Sequence, residues 1–192
     1  MRAFSMALAA ATIVPGVAHA DLIEEARTGV LAHNICVTDC KNADKEDGVN
    51  VEGELVFASP GIFDIILSPR PFVVGSVNTA GNTSFAGGGL MWNFKFADGW
   101  AIEPSLGYVI HDGELESPYP QGDPRSEAFA QEHVFLGSRD LFRTGLALNR
   151  DFGENWGGQL IFEHLSHGQI LGNGRNQGMD SAGVRVYYRF GG

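Results

Sequence analysis

Three residues near the end of the chain have the types that acyl transfer requires: His164, Ser166 and Asp180. An imidazole can take the proton of a serine hydroxyl, and a carboxylate can fix the tautomer of that imidazole and stabilise its protonated form. His164 and Ser166 are two residues apart, so on a β-strand their side chains point to the same face. The next residues, His167 and Gly168, could supply donors for an oxyanion hole. These residue types favour serine-dependent ester hydrolysis.

The same three residues stand where strand periodicity requires apolar side chains. Residues 156–168 alternate in polarity, and one face is apolar or glycine until it reaches His164 and Ser166. Residues 179–190 alternate in the same way, and their apolar face ends at Asp180. Neighbouring strands of one hairpin thus carry polar groups at the end of an apolar face. The apolar positions are Trp156, Gly158, Leu160 and Phe162 on the first strand and Ala182, Val184, Val186, Tyr188 and Phe190 on the second.

Alternating stretches of this kind recur along the chain and are separated by clusters of Gly, Asn, Asp and Pro. Tight connections near 97–99 and 153–155 alternate with long polar ones at 36–47, 113–133 and 169–178. Short turns at one end and long loops at the other are typical of outer-membrane barrels. The predicted fold is therefore all-β, an eight-stranded antiparallel outer-membrane β-barrel. We place its strands at 26–35, 48–58, 71–79, 85–96, 100–112, 134–150, 156–168 and 179–190.

The polar faces of these stretches favour a barrel over a soluble sandwich. They mix single carboxylates with arginines, whereas the solvated face of a sandwich would be rich in Lys and Glu. Small barrels fill their interior with side chains, and paired charges can pack there. The charged residues concerned are Glu52, Glu54, Glu103, Glu163, Arg139, Arg143, Arg185 and Arg189. Aromatic residues near the proposed turns are typical of a membrane interface: Trp92, Trp100, Trp156, Tyr188 and Phe190.

Strand geometry puts the three polar residues at one height. One run of the apolar face extends from Trp156 to Ser166, and a second run of equal length extends from Asp180 to Phe190. At about 3.3 Å per residue and a tilt of about 40°, each run spans roughly 25 Å, the height of the apolar band. An even strand number leaves both chain ends in the periplasm, so this rim is extracellular. A charged residue near the interface costs only about 0–1 kcal/mol.

The N-terminal residues predict an export signal. Arg2 precedes an apolar stretch at 3–14, and Ala18-His19-Ala20 has the pattern of a cleavage site. We therefore divide the chain into a signal peptide, 1–20, and an outer-membrane β-barrel domain, 21–192. The formal net charge of −10 disfavours a nucleic-acid partner. No later apolar run approaches the ~18 residues of a transmembrane helix.

Cys36 and Cys40 are the only two cysteines of the chain. Export permits a disulfide, and closure of a small loop is the favoured interpretation, with a metal or redox pair as the alternative. His164 and His167 do not form a zinc site on a strand, because residues three apart point to opposite faces. We expect neither a metal nor a cofactor.

The segments 163–168 and 176–190 resemble the C-terminal hairpin of the lipid A 3-O-deacylase (PagL) family. That family consists of eight-stranded outer-membrane barrels with a His-x-Ser element on the penultimate strand and an acidic residue opening the last. The resemblance implies that His164 is the base, Ser166 the nucleophile and Asp180 the acid. Two positions depart from the family. His167 stands where an Asn often assists the oxyanion hole, and Asp180 stands where the best-known members have Glu.

The resemblance implies a hydrolase of the Gram-negative outer membrane that removes the 3-position ester-linked hydroxyacyl chain of lipid A. The expected partners are lipopolysaccharide and membrane lipids, and the barrel-assembly machinery that receives C-terminal strands such as 184–190. The barrel is expected as a monomer or homodimer. Two alternatives stay open: a non-enzymatic structural or adhesin-like barrel whose long loops carry the function, and a palmitoyltransferase, which adds an acyl chain.

Overall fold

The computed structural model describes residues 22–38, 40–43, 45–172 and 175–191, so the predicted signal peptide lies outside the described residues. Within these ranges the chain forms strand segments, a 3-10 helix (Gly61–Ile66) and a helix α1 (Pro124–Glu132). No helix of the described part has the length and apolar character needed to cross a membrane. The strands are β1 (Ile23–Ala32), β2 (Val49–Phe57), β3 (Arg70–Asn78), β4 (Phe85–Met91), β5 (Phe94–Ala97), β6 (Trp100–His111), β7 (Asp140–Asp151), β8 (Trp156–Ser166) and β9 (Met179–Arg189).

Antiparallel pairing closes the sheet into a barrel. Strands that follow each other in the chain pair, except β4 with β5, and β1 also pairs with β9. Both β4 and β5 pair with β6, so they are halves of one strand interrupted at Trp92 and Asn93. Pro104 of β6 faces the interruption, where its carbonyl accepts the Trp92 N–H at 3.0 Å. Since proline has no N–H to return, the ladder breaks there. The result is an eight-stranded barrel, which confirms the predicted fold class.

Two of the predicted strands had boundaries that were wrong by several residues. The sixth stretch was predicted to begin at 134, but β7 begins at Asp140. Val134, Phe135 and Leu136 are instead buried loop residues. Their apolar character reflects packing over the barrel mouth rather than a strand. The first strand runs from 23 to 32 rather than from 26 to 35. It therefore includes Glu25, whose carboxylate lies in the barrel interior and binds Arg70 at 2.7 Å.

The interior of the barrel is filled by paired charges, as predicted, except that Arg139 is an exposed residue of the connection before β7 and donates to the His111 carbonyl. The guanidinium of Arg143 lies 2.7 Å from Glu163, and that of Arg185 lies 2.8 Å from Glu52. All four side chains are almost fully buried. Buried charges are stable only when they are paired and hydrogen-bonded. The outward side chains of the same strands are apolar and exposed, as a lipid-facing surface requires. Examples are Val30, Val51, Leu106, Leu146, Leu160 and Val184.

The two ends of the barrel differ. The loop end carries the connections 33–48, 79–84, 112–139 and 167–178, and the turn end carries 58–69, 98–99 and 152–155. At the loop end one carboxylate, that of Glu46, accepts hydrogen bonds from the Thr83 and Val134 N–H groups and contacts His33 Nε2 at 3.0 Å. At the turn end the outward rings of Trp156, Tyr188 and Phe190 pack edge to face.

Candidate active site

The register of the last hairpin brings His164 and Asp180 together. They are direct cross-strand partners of β8 and β9, one step beyond the apolar pair Phe162 and Ala182 on the same face. Opposed residues on one face of an antiparallel pair have Cβ atoms about 5 Å apart. His164 Nδ1 lies 2.7 Å from Asp180 Oδ1, which is hydrogen-bond distance. The strand alternation seen in the sequence therefore yields an imidazole–carboxylate pair.

This pair fixes the tautomer of His164. A carboxylate can only accept hydrogen bonds, so the proton lies on Nδ1 and the neutral ring keeps Nε2 as its basic atom. About a quarter of the His164 side chain, 26%, is exposed, whereas the Asp180 side chain is 0% exposed. The Asp180 carboxylate is therefore buried, while the His164 imidazole beside it is partly open to a substrate. An imidazole so held can act as a general base.

Asp180 does not lie on the open lipid-facing surface, in contrast to the expectation from strand parity. The 33–48 loop covers it and donates to it: the Val37 N–H reaches Oδ2 at 3.2 Å and the Thr38 hydroxyl reaches Oδ1 at 2.8 Å. The Thr38 N–H also donates to Oδ2, and the Ile35 N–H donates to the Asp180 carbonyl at 2.8 Å. A carboxylate next to an apolar surface needs such donors, because burying it without them is costly.

Ser166 is the last residue of β8 and lies on the same outward face as His164. Its cross-strand partner on β7 is Phe142, and its side chain is partly exposed. In the described part of the chain the structure records no hydrogen bond between the Ser166 hydroxyl and His164. The imidazole–carboxylate half of the predicted triad is thus assembled, while Ser166 stands beside it on the same face.

His167 points the other way. Its side chain is fully buried, its Nδ1 accepts the Gln169 N–H at 3.2 Å, and its Nε2 lies 3.1 Å from the Arg175 carbonyl. The two ring nitrogens therefore have partners within the 167–178 loop. Gly168 follows with a φ of +60°, a conformation that favours glycine, and it packs beside the Phe142 ring. Of the two residues predicted for the oxyanion hole, Gly168 is the exposed one.

Three further residues around the pair were missed by sequence reasoning. Thr38 contacts both groups, since its Oγ1 also lies 3.1 Å from His164 Nδ1. Gly178 is buried against the imidazole, and a Cβ there would lie 2.5 Å from His164 Cε1. Asn176 accepts the His167 N–H at 3.1 Å and so ties the two arms of the loop together. Of these three residues, only Thr38 could have been singled out from the sequence, because it lies between Cys36 and Cys40.

A disulfide joins Cys36 to Cys40, as the favoured interpretation predicted. Among the described residues there is no group of three or more His, Cys, Asp or Glu side chains that could hold a metal ion. The site is thus made of an imidazole, a carboxylate and two hydroxyls, which are groups suited to proton transfer and nucleophilic attack.

Comparison with known proteins gives one family and several similar folds. Residues 73–189 match the family described as lipid A 3-O-deacylase (PagL). The crystal structure of the outer membrane enzyme PagL is similar at 13% identity and a TM-score of 0.59, over 85% of this chain and 97% of that one. No curated protein has a matching sequence.

Two other solved barrels share 11% of their residues with this chain. A de novo designed transmembrane β-barrel has a TM-score of 0.45 and is aligned over 86% of this chain and 95% of its own. The outer membrane protein Ail of Yersinia pestis has a TM-score of 0.43 over 87% and 99%. The family match covers more than half of the sequence and includes His164, Ser166 and Asp180. The chain belongs to the lipid A 3-O-deacylase (PagL) family.

Proposed function

We propose that this protein is an outer-membrane serine esterase that removes the 3-position ester-linked hydroxyacyl chain of lipid A, with Ser166, His164 and Asp180 as its triad. The observation that carries the proposal is the 2.7 Å contact between His164 Nδ1 and Asp180 Oδ1 on the outward face of the hairpin, with Ser166 two residues further along that face. Membership of the lipid A 3-O-deacylase family supports the substrate and the reaction.

The proposed reaction has two steps. In the first, Ser166 Oγ attacks the ester carbonyl while His164 Nε2 takes its proton, and Asp180 stabilises the resulting imidazolium. The tetrahedral intermediate collapses, and His164 returns the proton to the departing sugar oxygen. In the second, water attacks the acyl-enzyme with the same base, which releases the hydroxy fatty acid and restores Ser166.

The oxyanion needs donors that point away from the barrel wall. We assign this role to the main-chain N–H of Gly168, which follows Ser166 by two residues in an exposed turn. His167 contributes by holding that turn, because its ring links the Gln169 N–H to the Arg175 carbonyl. A donor of this kind is worth about 10²–10³ in kcat in serine hydrolases.

The location of the site suits a lipid substrate. His164 and Ser166 lie at the loop end of an apolar outward surface, where a lipid in the outer leaflet would meet them by lateral diffusion. A barrel of this kind ends on a strand that the assembly machinery receives, and we assign that role to β9. All the proposed catalytic groups come from one chain, so the site needs no second copy, whether the protein is a monomer or a homodimer.

Replacing Ser166 with Ala tests the proposal. We expect the activity to fall by more than about 10³-fold, because no nucleophile remains. Mass spectrometry of lipid A from cells that express the wild type or the Ser166→Ala variant measures the result. The wild type should remove the mass of one hydroxyacyl chain, and the variant should leave lipid A intact. Identical spectra would favour a structural barrel, and an added acyl mass would favour a transferase.

A further inference from the structure

The carboxylate of Asp180 is held by a five-residue ring of the chain that a disulfide closes, Cys36–Cys40. We call this ring the Cys36–Cys40 clasp. Among its described residues, the donors to the carboxylate include the N–H groups of Val37 and Thr38 and the Thr38 hydroxyl. These residues are 142 or 143 positions away from Asp180 in the chain.

The Thr38 hydroxyl contacts both members of the imidazole–carboxylate pair. It donates its single proton to Asp180, at 2.8 Å from Oδ1 and 3.0 Å from Oδ2. Its Oγ1 lies 3.1 Å from His164 Nδ1, so an oxygen lone pair faces the Nδ1 proton. Thr38 thus favours the tautomer that leaves His164 Nε2 free to act as the base.

The described residues of the clasp are exposed, whereas the carboxylate that they bind is fully buried. Holding an exposed loop in one conformation costs conformational entropy, and a disulfide lowers that cost by restricting the open states. The bond between Cys36 and Cys40 encloses Val37 and Thr38, which donate hydrogen bonds to Asp180. The disulfide therefore restrains the part of the loop whose conformation determines the hydrogen bonds to the Asp180 carboxylate.

We propose that the Cys36–Cys40 clasp positions Asp180 and His164 for ester hydrolysis, with Thr38 as the positioning residue, so that full activity requires the oxidised disulfide. The inference rests on the proposed function, because it concerns the same imidazole–carboxylate pair. A dithiol such as dithiothreitol supplies two electrons and two protons to the disulfide. Two cysteine thiols form, the dithiol becomes a cyclic disulfide, and the clasp is free to open.

The first test compares two substitutions at Thr38. Thr38→Val keeps the shape and the N–H but loses the hydroxyl, and we expect kcat to fall about tenfold with KM unchanged. Thr38→Ser keeps the hydroxyl, and we expect it to restore most of the rate. The measurement is steady-state release of hydroxy fatty acid from lipopolysaccharide in mixed micelles by the full-length mature barrel.

The second test removes the disulfide. Treatment of the wild type with dithiothreitol, or the double substitution Cys36→Ser with Cys40→Ser, should lower kcat at least tenfold. The double variant should not respond further to dithiothreitol. The losses from Thr38→Val and from reduction should be less than additive in free energy, because both act on Asp180. Heat-modifiable migration on gels reports whether each barrel is folded.

Separate outcomes identify which proposal fails. Wild-type kcat in both Thr38→Val and the disulfide-free variant, together with an inactive Ser166→Ala, would overturn the clasp and leave the esterase assignment standing. A fully active Ser166→Ala would overturn the esterase assignment. Amide hydrogen exchange at Val37 and Thr38 measures directly whether these N–H groups bind Asp180. Slow exchange that becomes fast in Asp180→Ala supports the clasp, and fast exchange in both proteins contradicts it.

Discussion

At the scale of single residues, the short carboxylate of Asp180 reaches His164 because of its position in the hairpin. Asp180 is the direct cross-strand partner of His164, and such partners are close enough for an aspartate to span the gap. The donors from Val37 and Thr38 then fix its orientation. An aspartate at this position of the hairpin is therefore long enough to contact the imidazole.

Gly178 gives a prediction at the same scale. A methyl group there would lie 2.5 Å from His164 Cε1, and the ring cannot move freely because Asp180 and Thr38 hold the adjacent Nδ1. We expect Gly178→Ala to displace the imidazole and reduce kcat/KM by about 10²-fold, the typical result of a 1 Å misplacement. The assay is release of hydroxy fatty acid from lipopolysaccharide.

The matched control is Gly153→Ala at the turn end, where an added Cβ has no neighbour within 4 Å. It should leave both the rate and the fold unchanged. Equal activity of the two alanine variants would show that His164 tolerates a new neighbour and would contradict the prediction.

At the scale of elements, β8 performs two tasks with its two faces. Its outward face carries His164 and Ser166, while the intervening interior positions carry Glu163 and Leu165, both buried. Glu163 binds Arg143 of β7 at 2.7 Å, within a charge network that includes Glu52. The interior ion pairs thereby fix the strand on which the candidate catalytic residues stand.

Removal of Arg143 should destabilise the barrel. Arg143→Met leaves Glu163 buried without its partner, and breaking a buried pair typically costs about 3–5 kcal/mol. We expect a lower free energy of unfolding by roughly that amount, measured by urea unfolding in lipid bilayers. Arg125→Ala, which breaks an exposed ion pair with Asp123 on the 112–139 connection, should leave the midpoint unchanged. Equal stability of all three proteins would mean that the interior network is not required.

At the scale of the whole molecule, the loops close the barrel mouth through Glu46. Burial opposes ionisation of this carboxyl, but hydrogen bonds from His33, Thr83 and Val134 outweigh burial and lower the pKa of Glu46 below its usual 4.5. The contacts with Thr83 and Val134 tie the 33–48 loop to 79–84 and to 112–139, while the contact with His33 lies within the 33–48 loop.

The stabilisation from Glu46 should depend on pH. Since its folded-state pKa is lowered, its contribution is fully present above pH 4.5 and is lost as the pH falls through the folded value. We expect amide exchange at Thr83 and Val134, corrected for intrinsic rates, to accelerate as the pH falls below 4.5. In Glu46→Gln the protection of both amides should not change with pH. The same acceleration in that variant would exclude Glu46 as the titrating group.

The sequence by itself determined the barrel and the identity of the candidate catalytic residues. Side-chain direction in a strand repeats every two residues, so the apolar face and its polar ends at His164, Ser166 and Asp180 can be found without coordinates. The eight stretches of alternating polarity predicted the strand count, and the alternating loop lengths indicated the loop end. The one large error, at 134–139, arose because apolar residues that cover a barrel mouth have the same composition as a strand.

Only the tertiary structure decided how these residues are surrounded. Asp180 is buried because the Cys36–Cys40 clasp covers it, and Thr38 joins His164 across 126 positions of the chain. His167 turns inward because its ring satisfies the polar groups of its own loop. Periodicity encodes which face a side chain takes, whereas contacts between distant loops depend on closure of the barrel, which brings β1 beside β9.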